Sequence, residues 1–248
     1  MQPTVQVNQP PGVPPLELTG ERTMPDVAAE NYWFRRHLAV YEWIAERCAG
    51  LDVVDMACGE GYGVEVLARR ARRVTGVDAN PEAYEHARLK YTRPGVRVVR
   101  NMVELYSEPC DAVVFLQTIE HVPEPRAVLG HFKEMCRTVY VSTPNLLTIA
   151  PPGAKKSDNP WHLREYRAQQ FRALCESVFE RVELLGLFHA RVLRAHELAL
   201  RAGWDRVHST LRITKPFYDR FTPAISSADF KLRPAPLERA LDFVAVLR

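Results

Sequence analysis

Four groups of residues in this chain have the types and spacing to do chemistry. The first is VVDMACGEGYG, Val53 to Gly63, where Asp55 closes an apolar run and Ala57, Cys58, Gly59 and Gly61 form a turn of small residues. Small side chains let the backbone turn sharply and come close to a ligand. Helical spacing in the GVEVLARRA that follows puts this turn at a helix N-terminus, whose unpaired N–H groups favour an anionic or strongly polar ligand group. Taken alone, the run also fits a bare strand-to-helix turn. The second group is Asp78, about twenty residues further on, the separation at which a nucleotide-binding α/β unit sets an acid on the ribose hydroxyls. The two together are more specific than either. Third is the polar exit of an apolar run, Gln117, Glu120 and His121, and fourth is a loop histidine, His162. His121 has the side chain of a general base, or of a histidine simply hydrogen-bonded in place.

These groups need a scaffold that brings strand ends to one edge. VVD, RVTGVD ending at Asp78, VRVV ahead of Asn101 and Met102, Ala112 to Leu116, and TVYVSTPN read as successive strands. Helical patterns separate them, one started by Asn80-Pro81 and another running from about Pro125 to Cys136. Such alternation gives a mostly parallel sheet, and ligands of open parallel sheets lie outside the carboxyl ends of the strands. AQQFRALCESVF reads as an amphipathic helix, ERVELLGLFH as a sixth strand and LDFVAVLR as the closing one. Between the last two, residues 189–240 carry helical patterns and are expected to form an inserted helical cap over the acceptor side. Residues 1–15, rich in proline and poor in apolar groups, are expected to be a mobile, disordered tail, which leaves one domain at 16–248. Ahead of the first strand, apolar residues from Trp33 to Ala45 recur at helical spacing. That helix packs on the sheet or, in addition, closes over a cofactor through Tyr32, Trp33 and Arg36, with Arg36 neutralising a carboxylate.

Composition removes several function classes. The net charge is +3 across 248 residues, and no run of Lys and Arg interleaves with aromatics, so a nucleic-acid face is not indicated. Five cysteines without a CxxC pair favour a reducing compartment. The N-terminus lacks a basic and then apolar leader, and no apolar stretch is long enough to span a membrane, so the expected location is the cytoplasm.

The ligand is narrowed by what the loop lacks. Val64 stands where a dinucleotide fingerprint requires Gly or Ala, and no GK[ST] follows to make a P-loop. The remaining pattern, D-x-A-x-G-x-G, resembles the first motif of S-adenosylmethionine (SAM) dependent methyltransferases of the Rossmann-like class I. The resemblance implies an α/β fold with a mostly parallel seven-stranded sheet flanked by helices and a helical insertion before the last strand. It implies SAM as cofactor, held by Asp55, Ala57, Cys58, Gly59 and Gly61 at the loop, Asp78 and Ala79 at the ribose, and Asn101 and Met102 at the adenine, with Trp33, Arg36 and Gln117 nearby. Asn101 replaces a commoner Asp, and its amide oxygen can still accept from the adenine amine. Ala57 replaces a commoner Gly and is therefore expected at negative φ.

QTIEH is similar to the E-x-x-E-H run of quinone O-methyltransferases, where two Glu and the His can hold a divalent metal. Gln117 in place of the first Glu removes an anionic ligand and leaves Glu120 and His121 as a weak Mg²⁺ site. LTGERTMPDVAAENYWFRRH, CGEGYG, QTIEH, VSTPN, NPWHLRE and LLGLFH together resemble actinobacterial sugar O-methyltransferases associated with the methylmannose polysaccharide and methylglucose lipopolysaccharide of mycobacteria. This resemblance implies an O-methyltransferase acting on a sugar or oligosaccharide hydroxyl. His162 would take the hydroxyl proton, His121 is the alternative base, and Glu120 would orient the base or help hold a metal. His162 and Trp161 merely anchoring their loop is the competing reading. A quinone-like or phenolic acceptor and a non-catalytic SAM-binding module are the other functions kept open, and a homodimer is a compatible assembly.

Overall fold

The computed structural model describes residues 5–18, 22–151, 153–234 and 236–248. Helix α1 (Asn31–Arg47) leads into β1 (Asp52–Met56), α2 (Tyr62–Leu67), β2 (Arg73–Asp78), α3 (Pro81–Lys90), β3 (Val96–Arg100), β4 (Ala112–Leu116), α4 (Pro125–Met135) and β5 (Thr138–Pro144). The short α5 (Leu146–Ile149), α6 (Ala168–Glu176) and β6 (Val182–His189) follow, then α7 (Arg191–Arg201), α8 (Trp204–Thr210), α9 (Thr214–Ala224), β7 (Phe230–Arg233) and β8 (Asp242–Leu247). Local chemistry sets several of these boundaries. Asn80 caps α3 by accepting from the Glu82 and Ala83 N–H groups at 2.9 and 3.0 Å, and Pro81 occupies the first helical position, where its missing N–H costs nothing.

The strands form one sheet in the order β3-β2-β1-β4-β5-β8-β6-β7. Strands β1 to β5 pair in parallel, β8 lies antiparallel between β5 and β6, and β7 pairs antiparallel with β6. Both faces are covered. Phe115, Phe132, Phe171 and Phe243 fill one side, and Ile44, Val64, Leu67 and Val244 the other. This explains why β4 and β8 are buried at every residue and read as continuous apolar runs rather than alternating ones. The chain reverses its lateral direction between β1 and β4, which opens a crevice at the carboxyl ends of these strands. No described helix is long and apolar enough to cross a membrane.

Two expectations are corrected. The sheet has eight strands rather than seven, because Phe230–Arg233, inside the stretch expected to be a helical cap, pairs with residues 186–189 of β6. Only four residues long and close to prolines, this strand gives almost no periodic signal. The tail is also not detached along its described part. Val13 and Leu16 are buried, and Gln6 donates to Glu60 Oε1 at 3.1 Å. Few apolar groups are needed because the attachment is largely polar. The segment folds back on itself, Val5 bridging Glu17 in antiparallel fashion, and Pro14 O meets His86 Nδ1 at 2.7 Å.

Candidate active site

The glycine loop is bent by backbone conformations that L-residues rarely adopt. Ala57, Gly59 and Gly61 have φ of +57°, +54° and +97°. Ala57 thus departs from the expected negative φ, and its Cβ tolerates a left-handed position at a cost of about 1–3 kcal/mol, a kind of strain that collects at ligand sites. A Cβ at Gly59 would meet nothing within 4 Å, so that position faces open space, whereas one at Gly61 would come within 2.8 Å of Ala87 and Tyr91. Gly59 therefore serves ligand approach and Gly61 serves packing against α3. The loop is tied to β2 by Cys58 N donating to Val77 O at 3.0 Å and Gly59 N donating to Asp78 Oδ2 at 2.7 Å.

Two buried acids frame the loop. Asp55 is fully buried, accepts from the Tyr41 hydroxyl at 3.0 Å, and is pushed up to about 8 by burial. Glu60 is a hub missed in the sequence. It accepts from Gln6, His86 and Lys90 on Oε1 and from Tyr91 and the Tyr62 N–H on Oε2. Burial alone would raise its pKa, but the bonds from His86, Lys90 and Tyr91 outweigh that and lower it. One carboxylate thus joins the N-terminal segment, α3 and the loop.

A cavity of about 690 Å³ opens over this edge. Trp33, Arg36, Ala57, Cys58, Gly59, Gln117, Glu120, His121 and His162 line it, so nine of the candidate positions converge on one space. Asp55 and Gly61 stand behind the loop, and Asp78, Ala79, Asn101 and Met102 lie outside this cavity at the neighbouring strand ends. There Asp78 Oδ1 accepts from Asn80 N at 2.9 Å, Asn101 N donates to Asp78 O at 3.2 Å, and Met102 is half exposed. Arg36 is not poised to neutralise a ligand carboxylate. Its guanidinium grips Asp242 with two bonds, of 2.6 and 2.5 Å, and also donates to Leu241 O, so its charge is already matched inside the protein. Gln117 is likewise committed, donating Nε2 to Ser142 Oγ at 3.1 Å.

The loop after β5 contributes a further part of the wall. His121 Nδ1 meets Trp161 O at 2.9 Å, and Glu120 O accepts from the N–H groups of Leu163 and Arg164. These bonds pin residues 161–164 onto the 3-10 turn Ile119–His121, so loop anchoring is real. It coexists with a reactive arrangement. His162, 4 % exposed, bonds through Nδ1 to Glu165 Oε1 at 2.7 Å, and its Nε2 receives Asn159 Nδ2 at 3.1 Å. Glu120 is 1 % exposed, its Oε2 has no hydrogen-bond partner among the described residues, and burial pushes its pKa up to about 8. One donor atom from each of Glu120, His121 and His162 lies within 4.8 Å of the others. Beyond the sequence reading, His37, Arg22 and Thr23 also line the cavity. Burial and nearby Arg36 lower the His37 pKa to about 3, so it is neutral, and its Nε2 lacks a partner among the described residues. The described part of 189–240 contributes no lining residue. Instead of capping this cavity, the insertion leans on α1, with Asn31 donating to Thr222 O at 2.8 Å, and stacks Phe217 between His196 and His208.

Comparison with known proteins decides the family. A probable S-adenosylmethionine-dependent methyltransferase of Mycolicibacterium smegmatis is 38 % identical over 93 % of this chain and 94 % of its own length. The chain belongs to the SAM-dependent methyltransferases. A methyltransferase-domain family model also matches residues 54–139, the span holding the loop and the β2 and β4 strand ends. A ubiquinone biosynthesis O-methyltransferase of Xylella fastidiosa is 33 % identical over 42 % of this chain and 47 % of its own length. Among solved structures, a SAM-dependent methyltransferase from Thermotoga maritima superposes with a TM-score of 0.57 at 15 % identity, covering 87 % of this chain and 92 % of that one, a likeness of fold.

As a SAM-dependent methyltransferase, the chain presents a loop that suits its cofactor. Ala57, Cys58 and Gly59 line the cavity, and the open space at Gly59 admits a close-lying ligand. Mg²⁺ fits less well. It takes oxygen ligands, whereas Glu120, His121 and His162 offer one carboxylate oxygen and two imidazole nitrogens. No step below is routed through a metal.

Proposed function

We propose that this methyltransferase transfers a methyl group from SAM to a hydroxyl of a sugar or oligosaccharide, with His162 as the base. The observation that carries the proposal is the pairing, in the cavity that the glycine loop also lines, of a buried imidazole backed by a carboxylate with a buried carboxyl whose Oε2 has no partner among the described residues. An unsatisfied buried polar atom costs roughly 1–3 kcal/mol, and a ligand hydroxyl would repay it. At neutral pH Glu120 is mostly protonated, so it can both donate to and accept from a polyol.

SAM, when bound, would supply a sulfonium methyl carbon that a hydroxyl oxygen can attack, displacing the sulfur. The loop residues Ala57 to Gly59 hold the cofactor end of the cavity, and His37 Nε2 is placed to meet a polar group there. His162 accepts the hydroxyl proton on Nε2 as the new C–O bond forms and the C–S bond breaks, releasing S-adenosylhomocysteine and a methyl ether. Asn159, now on Nε2, must yield that position to the hydroxyl. Much of the rate would come from holding the reactants in line, which can lower the barrier by roughly 7–11 kcal/mol.

A quinone-like or phenolic acceptor is the second reading, supported by the partial match to ubiquinone biosynthesis O-methyltransferases. Incubating the protein and SAM with short manno- and gluco-oligosaccharides and with a catechol, each with and without EDTA, separates the readings. Mass spectrometry should find a methylated oligosaccharide at a rate unaffected by EDTA. Methylation of the catechol alone, or of nothing, would reject the sugar acceptor, and loss of activity in EDTA would reject the metal-free mechanism.

A further inference from the structure

The side chain of Glu165 has a place in the site that its sequence neighbours do not announce. It is 1 % exposed and gathers three donors: the Ser157 N–H at 2.8 Å, the Ser157 hydroxyl, and His162 Nδ1 at 2.7 Å. Burial would raise its pKa, but these bonds from Ser157 and His162 lower it overall, so the carboxylate is anionic at neutral pH. An anionic carboxylate accepts and cannot donate. Its imidazole partner must therefore carry hydrogen on Nδ1. On the other ring nitrogen, Asn159 Nδ2 approaches Nε2 at 3.1 Å, while Asn159 Oδ1 is taken by the Trp161 N–H at 2.9 Å. The amide therefore presents its N–H₂ to Nε2, which demands a lone pair there. Both neighbours select the same tautomer.

We infer that Glu165 is the positioning residue of this methyltransferase: from three residues along its loop it locks the His162 ring with Nδ1 protonated and the Nε2 lone pair turned to the cavity. The inference rests on His162 being the base. Ser157 and Asn159 extend the same device, Ser157 by orienting Glu165 and Asn159 by holding the Nε2 position until a hydroxyl replaces it. The proton that His162 takes from the acceptor then sits on Nε2, and the resulting imidazolium is stabilised by the Glu165 charge without proton transfer to the carboxylate. Replacing such a carboxylate by its amide keeps the shape but lets the ring turn to the wrong tautomer, a change that can reduce kcat by about 10⁴-fold.

The test combines a direct view of the ring with kinetics. Long-range ¹H–¹⁵N spectra of the full chain, with His162 identified by its loss in His162→Gln, should show the Nδ1–H tautomer in the wild type and a shift towards Nε2–H in Glu165→Gln. In Glu165→Gln, kcat should fall by about 10²- to 10⁴-fold with the KM values little changed and S-adenosylhomocysteine binding retained. Glu165→Asp, which keeps the anion, should retain more kcat than Glu165→Gln and the Nδ1–H tautomer. A wild-type ring protonated on Nε2, an unchanged tautomer in Glu165→Gln, or a wild-type kcat in that variant would each overturn the inference. If Glu165→Gln does not fold, the wild-type tautomer and the Glu165→Asp variant decide. If no sugar is methylated while the tautomer behaves as described, the acceptor assignment fails and the positioning role stands.

Discussion

Gly59 in the cofactor loop and Gly63 in the first turn of α2 should respond to the same substitution in opposite ways. In Gly59→Ala the new Cβ meets no protein atom within 4 Å, but φ is +54°, so the backbone strain is about 1–2 kcal/mol and the methyl group intrudes on the cofactor side of the cavity. In Gly63→Ala the Cβ would lie 2.3 Å from Tyr41 Cζ and 2.6 Å from its hydroxyl. Tyr41 or α2 must move, an overpacking cost of about 1–3 kcal/mol. Displacing the hydroxyl also strips buried Asp55 of its donor, a further 1–3 kcal/mol or so. With about 2–4 °C per kcal/mol for a domain of this size, Gly63→Ala should lower the melting temperature by roughly 4–24 °C and Gly59→Ala by only about 2–8 °C. Thermal unfolding without ligand and calorimetric titration with S-adenosylhomocysteine measure the two effects separately. Gly59→Ala should stay folded and lose affinity. Wild-type affinity in Gly59→Ala, or wild-type stability in Gly63→Ala, would refute the division between a glycine for the ligand and a glycine for packing.

Arg36→Met should destabilise the fold by about 3–5 kcal/mol in urea unfolding, because Asp242 would be left buried without its cation, and adding Asp242→Leu should recover most of that loss. Stability should fall as pH rises from about 6.5 to 8: Asp55 and Glu120 have ordinary pKa values of 3.8 and 4.5 and folded values of about 8, so in that window the folded state binds more protons than the unfolded one, whereas below about 6.5 His37, whose folded value is lowered to about 3, works in the opposite direction. Asp55→Asn with Glu120→Gln should flatten this slope in unfolding measured against pH. Gln6→Ala should lower the melting temperature and leave Glu60 with fewer donors, which a detached N-terminal segment would not do.

The parallel strands and the loop were legible because their signals are local: β-branched runs, small residues in a turn, an Asn-Pro helix start. Convergence of the loop with Glu120, His121 and His162 was legible only through the rule that such sheets bind ligands at their carboxyl edge. What could not be read depends on partners distant in the chain. A ligand carboxylate stays one of two readings for Arg36 in the sequence because Asp242 lies 206 positions away, and nothing near Arg36 announces it. Nothing near Glu60 in the sequence announces its role, although donors from three separate parts of the chain converge on it. Glu165 is the instructive intermediate case. An acid three residues after a histidine was visible in NPWHLREY, but its role needed the loop to fold back through Ser157 and Asn159. β7 and the attached N-terminal segment were missed for a related reason, since each is short and held by pairing or polar contacts rather than by periodic apolar burial.

Chemical rescue of His162→Ala is the most direct test of the proposed catalysis. With SAM and the methylated oligosaccharide as readout, this variant should bind S-adenosylhomocysteine normally, lose about 10²- to 10⁴-fold in single-turnover rate, and regain part of it when imidazole is added. A variant that transfers methyl groups at the wild-type rate, or one that imidazole cannot revive while the cofactor still binds, would contradict His162 as the base.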